Sequence, residues 1–256
     1  MGNKRVILGL LTLIFFAILY INKSVIQNYI LFLQREYISQ NQNHEIIQVS
    51  QNLTRSETRT IKMSAESVVR VLSRNSSGIA SLSGTVLSYG DQIFVLTASH
   101  GINENCKDTV VWTGSDDLQV CEELVVIDRE LDYAILRISD YGETTPVNLQ
   151  RVLPSDRQRS LVYSLQNKLF YTGFPNGAGP VTVAGRIIGF RAENYFFMHS
   201  YAWAGSSGSG VFTHDGKLIG VVIALDIGMT MFGPDVLEDM VIVLPVYKID
   251  WSFLGQ

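Results

Sequence analysis

Three places in the sequence hold side chains that could pass a proton or attack a carbonyl: His100, Asp132 and Ser207. Ser207 is at the centre of Tyr201-Ala-Trp-Ala-Gly-Ser-Ser-Gly-Ser-Gly210, directly before the apolar pair Val211-Phe212. Gly205, Gly208 and Gly210 let the chain turn tightly and approach another molecule closely. Main-chain N–H groups as well as the Ser207 hydroxyl could then reach a bound carbonyl. The same composition suits a plain loop, and by composition alone Ser206 and Ser209 are equal candidates. His100 ends the run Ile93-Phe-Val-Leu-Thr-Ala-Ser-His100-Gly101, where a buried-looking strand carries a polar side chain to its tip among small neighbours. A structural histidine is the alternative there. Asp132 stands just before Tyr133-Ala-Ile-Leu-Arg-Ile138, whose alternate residues are apolar, so it can point inward at the start of a strand. A turn or cap is the other use of such a carboxylate, and Asp128 suits that better. A serine hydroxyl is a poor nucleophile until a base takes its proton, so the three residues carry chemistry only together.

The elements that must position them are short strands. From Ser64 onward, β-type runs alternate with turn residues: 67–73, 80–88, 92–97, 109–113, 118–127, 133–138, 168–173, 181–190, 195–198, 211–213, 217–224 and 240–244. The middle of this region has no long 3.6-residue pattern, which predicts an all-β barrel or sandwich. The tail Tyr247–Leu254 is read as a short closing helix.

Ahead of this domain, residues 1–22 contain Lys4, Arg5 and then the uncharged run Val6–Ile21. That run is slightly shorter than the ~20 residues that span a bilayer comfortably. It reads as an N-terminal transmembrane helix through residues 6–21, with Lys4 and Arg5 on the cytoplasmic side. A cleaved signal sequence is the alternative, against which no A-x-A-like site follows the run. Residues 23–63 read as a linker, first an amphipathic helix with Val25, Ile26, Tyr29, Ile30 and Leu33 at helical spacing, then a polar tether at 40–59. Residues 64–256 form the remaining domain. The net charge of −4 with no basic stripe points away from nucleic acid. Cys106 and Cys121 are too few for a disulfide scaffold and lack zinc spacing. They flank a predicted hairpin, and either one disulfide in an oxidising compartment or two free thiols fits. Nothing calls for a cofactor or a metal, and the oligomeric state is not legible.

Taken in order, Thr97-Ala-Ser-His100, Asp132-Tyr-Ala-Ile-Leu136 and Gly205-Ser-Ser207-Gly-Ser-Gly210 resemble the motifs of the trypsin-like serine peptidases. An α/β-hydrolase would run serine, acid, histidine. The resemblance extends over about residues 64 to 250. Glu66-Ser-Val-Val-Arg-Val71 and Ser83-Gly-Thr-Val-Leu87 resemble the opening strands of the HtrA-like branch, and the serine motif is also similar to that of glutamyl endopeptidases. Too few residues follow Pro245 for the PDZ domain that many HtrA proteins carry. The resemblance implies two six-stranded antiparallel β-barrels with the site between them, hydrolysing peptide bonds of a protein or peptide substrate. It also implies the roles. His100 would be the base that activates Ser207, Asp132 would fix the histidine tautomer, and the N–H groups of Gly205 and Ser207 would form the oxyanion hole. Ile223-Ala224-Leu225 would pair with an extended substrate, and Tyr201 would stand at the base of the specificity pocket.

Several positions depart from the family pattern. Ser206 replaces the aspartate that pairs with a newly cut N-terminus, and no Ile-Val-Gly-Gly-like stretch follows a basic residue, so activation by N-terminal cleavage is not expected. Gly210 replaces a proline and is expected to loosen the loop. Gly101 replaces a cysteine. Tyr201 replaces trypsin's aspartate, so preference for Lys or Arg is not expected; Ala202, Ala224 and 240–243 suggest an apolar or small pocket, with His199 as a contact for an acidic side chain instead. A protease-fold module that binds a partner without turnover is the second functional reading.

Overall fold

Residues 52–75, 78–114, 118–191, 194–230 and 233–255 are described by the structure, a computed structural model, with 225–230 and 233–238 as main chain only. The expected membrane helix at 6–21, the amphipathic continuation and most of the polar tether lie outside the described residues. Among the described residues no helix is long and apolar enough to cross a membrane.

Apolar alternation produces the strands, and in many of them both faces are buried. The first half contains β1 (Val68–Asn75), β2 (Gly78–Tyr89), β3 (Gln92–Thr97), β4 (Thr109–Trp112), β5 (Leu118–Val120), β6 (Glu123–Asp128), β7 (Tyr133–Ile138) and β8 (Val147–Asn148). The second half contains β9 (Lys168–Gly173), β10 (Val181–Arg191), β11 (Tyr195–His199), β12 (Gly210–Thr213), β13 (Leu218–Thr230) and β14 (Gly233–Pro245). Along β3 and β7, Phe94, Leu96, Tyr133 and Ile135 face a core shared with Leu218, Ile223, Ile242 and Leu244 of the second half. Val95, Ala134 and Leu136 face the interior of the first sheet instead. Ile219, Val222, Val241 and Val243 fill the second barrel with Leu169, Tyr171 and Phe196. Period-2 strands thus feed three cores, one inside each half and one between them.

The second half is the expected six-stranded closed barrel, in the order β10-β11-β14-β13-β12-β9. The first half departs from the expected six-stranded barrel. Its ladder runs β5-β4-β1-β2-β3-β7-β6 and stays open, with β8 added in parallel beside β2. The run expected as one strand at 118–127 breaks at Cys121, where the chain crosses from one edge of the sheet to the other. Cys121 N donates to Thr109 O at 3.1 Å and Glu122 N to Arg137 O at 3.0 Å, so single bonds bridge the edges in place of a ladder. Cys106 and Cys121 are joined in a disulfide, with Cα atoms 5.4 Å apart, which anchors this crossover.

Three helices were not foreseen. α1 (Arg55–Ser67) begins within the segment read as a tether and is closed by a capping box between Thr54 and Glu57. Lys168 Nζ lies 2.7 Å from Glu57 Oε1, Thr60 Oγ1 donates to His214 O at 3.2 Å, and the Ser64 and Thr172 hydroxyls share a 2.9 Å bond. Short helices α2 (Leu149–Val152) and α3 (Asp156–Val162) connect the halves. The tail forms two 3-10 turns, Val246–Lys248 and Ser252–Gly255, in place of one closing helix.

Candidate active site

His100 and Asp132 arrive at one sheet edge because β3 and β7 pair, Thr97 opposite Ala134. Beyond β3 the chain turns through Ser99–Ile102, with Ile102 N donating to Ser99 O at 2.9 Å, which puts His100 at a corner. Asp132 has φ +60°, a left-handed conformation that aspartate tolerates. Its Oδ1 accepts from Ser99 N at 3.0 Å, Ser99 Oγ at 3.0 Å and His100 N at 2.8 Å. Its Oδ2 lies 2.8 Å from His100 Nδ1. Burial acts to raise the Asp132 pKa, but the His100 ring and main chain and the Ser99 hydroxyl outweigh it and hold the carboxyl below its ordinary value. Asp128 is the turn former expected, its Oδ1 accepting from Glu130 N and Leu131 N.

The Ser207 loop lies across the seam between the halves. Ser206 and Ser209 are buried at 1% and 0% exposure, while Ser207 is partly exposed, so of the three serines only Ser207 is open to another molecule. Each carbonyl from Ala204 to Ser207 has a donor. Asn176 N reaches Ala204 O at 2.6 Å, Ser209 N reaches Ser206 O at 3.2 Å and Ser83 N reaches Ser207 O at 2.8 Å. Ser83 Oγ donates to Gly205 O at 2.7 Å. The N–H groups of Ser206, Gly208 and Ser209 are bonded to Trp203 O, Val222 O and Ser206 O, and that of Gly210 to Thr85 Oγ1. Among the described residues, those of Gly205 and Ser207 have no intramolecular acceptor. Gly205 has φ +93° at the third position of the Trp203–Ser206 turn, the value of a type II turn. Gly208 has φ +94°, and a Cβ there would meet Ser83 O and Thr97 Oγ1, so the first sheet approaches too closely for any other residue.

Two departures now have physical reasons. Gly210 does not loosen the loop: its N–H donates to Thr85 Oγ1 at 2.8 Å, tying the loop to β2, a bond that proline has no hydrogen to make. At Gly101 a Cβ would meet Leu82 Cδ1 at 2.6 Å, so leucine packing fills the place of the family cysteine. Ser206 is satisfied locally, its Oγ accepting from Trp203 N at 3.3 Å.

The strand expected to receive substrate passes beside this loop. A bulge between Val222 and Ala224 leaves Ile223 unpaired in the β13–β14 ladder, and bulges re-aim a residue in this way. The Ser207 hydroxyl donates to Ile223 O at 3.3 Å, and no hydrogen bond joins it to His100 among the described residues. Ala224 is opposite Ile242 and Leu225 opposite Val241. Tyr201 is not the base of an enclosed pocket: it is 59% exposed and stacks on Trp203 at 6.0 Å. His199 is also at the surface, 3.8 Å from Asp239. Among the described residues no cluster of His, Cys, Asp and Glu could hold a metal ion.

Sequence reasoning missed Ser83, fully buried on β2. Its hydroxyl also accepts from Phe174 N at 2.9 Å, so one side chain joins both halves to the Ser207 loop. Its only sequence signal was membership of the run Ser83-Gly-Thr-Val-Leu87.

Many solved structures resemble this chain, among them the following three. The serine endoprotease from Yersinia pestis has 21% identity and a TM-score of 0.59 over 77% of this chain and 64% of its own. The chain therefore spans less than two thirds of that protein's length. The active form of the Rv3671c protease from M. tuberculosis has 18% identity and a TM-score of 0.56, over 73% of this chain and 79% of its own. The inactive form of the same protease has 18% identity and a TM-score of 0.57, over 77% and 93%. These likenesses concern the fold. No curated protein matches the sequence. The family described as the trypsin-like peptidase domain matches residues 82–221. That match takes in His100, Asp132 and Ser207 and more than half of the chain, which belongs to the trypsin-like peptidase family.

Proposed function

We propose that this protein is a serine endopeptidase in which Ser207 attacks the scissile carbonyl, His100 takes and returns the proton, and Asp132 orients the imidazole. The observation that carries the reading is the pair of N–H groups at Gly205 and Ser207 that lack an acceptor among the described residues, in a loop where those of Ser206, Gly208, Ser209 and Gly210 are bonded. Donors fixed in advance where negative charge develops need no reorganisation during reaction, and each is worth about 2.7–4 kcal/mol in such sites. The Asp132–His100 pair supports the base role: Oδ2 against Nδ1 leaves Nε2 for the hydroxyl proton. A peptide strand laid along Ile223–Leu225 is the substrate we infer, bound through its main chain. Internal satisfaction of Ser206 supports a site that is ready without N-terminal cleavage.

We place the domain outside the cytoplasm, anchored through residues 6–21; the Cys106–Cys121 disulfide supports an oxidising compartment. One observation favours the partner-binding reading, the Ser207 hydroxyl engaged with Ile223 O rather than with His100. Covalent labelling separates the two. A fluorophosphonate should label the full chain, and Ser207→Ala should abolish the label while leaving the fold intact by circular dichroism. Folded wild-type protein that takes no label would leave the binding module standing.

A further inference from the structure

The turn that carries Asp132 makes a second set of contacts with the histidine loop. Arg129 Nη1 donates to Ser99 O, and Arg129 Nη2 donates to Ile102 O at 2.7 Å. Ser99 O and Ile102 N close the turn on which His100 sits, so the guanidinium spans both ends of that turn. Asp132 binds the same loop through its N–H groups, those of Ser99 and His100. The loop is thus held by a carboxylate on its donors and a cation on its carbonyls, both from one five-residue segment, Asp128–Asp132. Asp128 Oδ1 fixes that segment from within, and Tyr195 of β11 donates to Glu130 O at 3.1 Å, fastening it to the second barrel. An exposed arginine gives up considerable side-chain freedom to hold such a fork, and a planar guanidinium directs N–H groups from two separate nitrogens at two carbonyls in a fixed geometry.

We propose that Arg129 is a positioning residue for His100, which it fixes through the Ser99–Ile102 turn; the catalytic part of this inference rests on the triad reading above. A freed turn lets the imidazole swing from the line between Asp132 and Ser207, and small losses of alignment slow proton transfer strongly.

The test compares full-length wild type, Arg129→Gln and Arg129→Lys by three readings: fluorophosphonate labelling rate, the low-field proton resonance of His100 Nδ1–H, and melting temperature. Arg129→Gln should label about tenfold more slowly. Its low-field resonance should broaden through exchange with water, with melting little changed. Arg129→Lys should recover little of the rate, since a single nitrogen replaces the two that reach the separate carbonyls. Wild-type rate and an unchanged resonance in Arg129→Gln would overturn the proposal, as would slowing that only follows the unfolded fraction. If wild type takes no label, the triad reading fails by itself, and the resonance still decides whether Arg129 holds His100.

Discussion

At Asp132, the division of hydrogen bonds between two carboxylate oxygens decides which nitrogen of His100 carries the proton. Oδ1 accepts three donors, Ser99 N, Ser99 Oγ and His100 N, so an asparagine there must keep its oxygen on that side. Its NH2 would then face His100 Nδ1 and force the proton onto Nε2, the nitrogen proposed to accept from Ser207. Asp132→Asn should therefore fold normally yet lose about 10^4-fold in turnover, the scale of that change in triad enzymes; comparing labelling rate with circular dichroism checks both halves. Gly210 gives a second residue-scale prediction. Restoring the family's proline removes the bond to Thr85 Oγ1 and places ring atoms where a Cβ would already lie 2.6 Å from that oxygen. Gly210→Pro should cost about 1–3 kcal/mol in chemical denaturation, whereas unchanged stability would mean the loop is not tied there. His100, Asp132 and Ser207 were legible as candidates because few side chains can do this chemistry. Ser83 and Arg129 were not, since their partners are set by strand pairing across the sequence, and neither residue type is unusual at a strand or turn.

Among the elements, α1 shows how a real helix can escape a hydrophobic pattern. Its buried residues are Glu57, Thr60, Ser64 and Ser67, which follow the helical period but are polar, so the 3.6-residue signal was present in the wrong chemistry. The start signal Thr54-Arg-Ser-Glu57 was readable as a capping box and was passed over because the surrounding segment read as a tether. Glu57 is held to about 2 by the Lys168 hydrogen bond and by the Thr54 main-chain and hydroxyl donors. A carboxylate with a depressed folded pKa stabilises the fold above its unfolded value and loses that contribution as pH falls through the folded one. The stability tied to α1 should therefore be complete above about pH 4.5 and fade toward pH 2. Glu57→Gln should flatten that part of the denaturation-against-pH curve, and an identical slope in the variant would contradict the assignment. Strand positions were better read than strand ends. β13 and β14 continue as a paired hairpin to Thr230 and Gly233, well beyond the apolar runs at 217–224 and 240–244, because a ladder once begun satisfies its own main chain.

For the whole molecule, the first sheet and the second barrel share a core, and the candidate site forms at the seam between them. The closed second barrel is complete by its own ladder; the first sheet depends on the crossover at Cys121. The disulfide closes a separation of 15 residues, for which chain entropy gives roughly 3 kcal/mol. Cys106→Ser with Cys121→Ser should lower stability by that order, and hydrogen exchange should rise first at β4, β5 and β6; protection lost first in the second barrel would refute this account of the first sheet. The all-β class was legible from the strand runs and the closed second barrel from the family resemblance, but the open first sheet was not, because nothing in the run 118–127 marks the break except a cysteine. The fold also has a mechanical side. α1 passes into β1 without an intervening residue, Ser67 being followed by Val68. It is fastened to the second half through Lys168, Thr172 and His214, and to the first through Thr145 N on Glu66 O at 2.6 Å. Tension applied to the chain ahead of Thr54 would have to shear those bonds before it reached β1, so the helix would act as a strain relief for the peptide planes around Ser207.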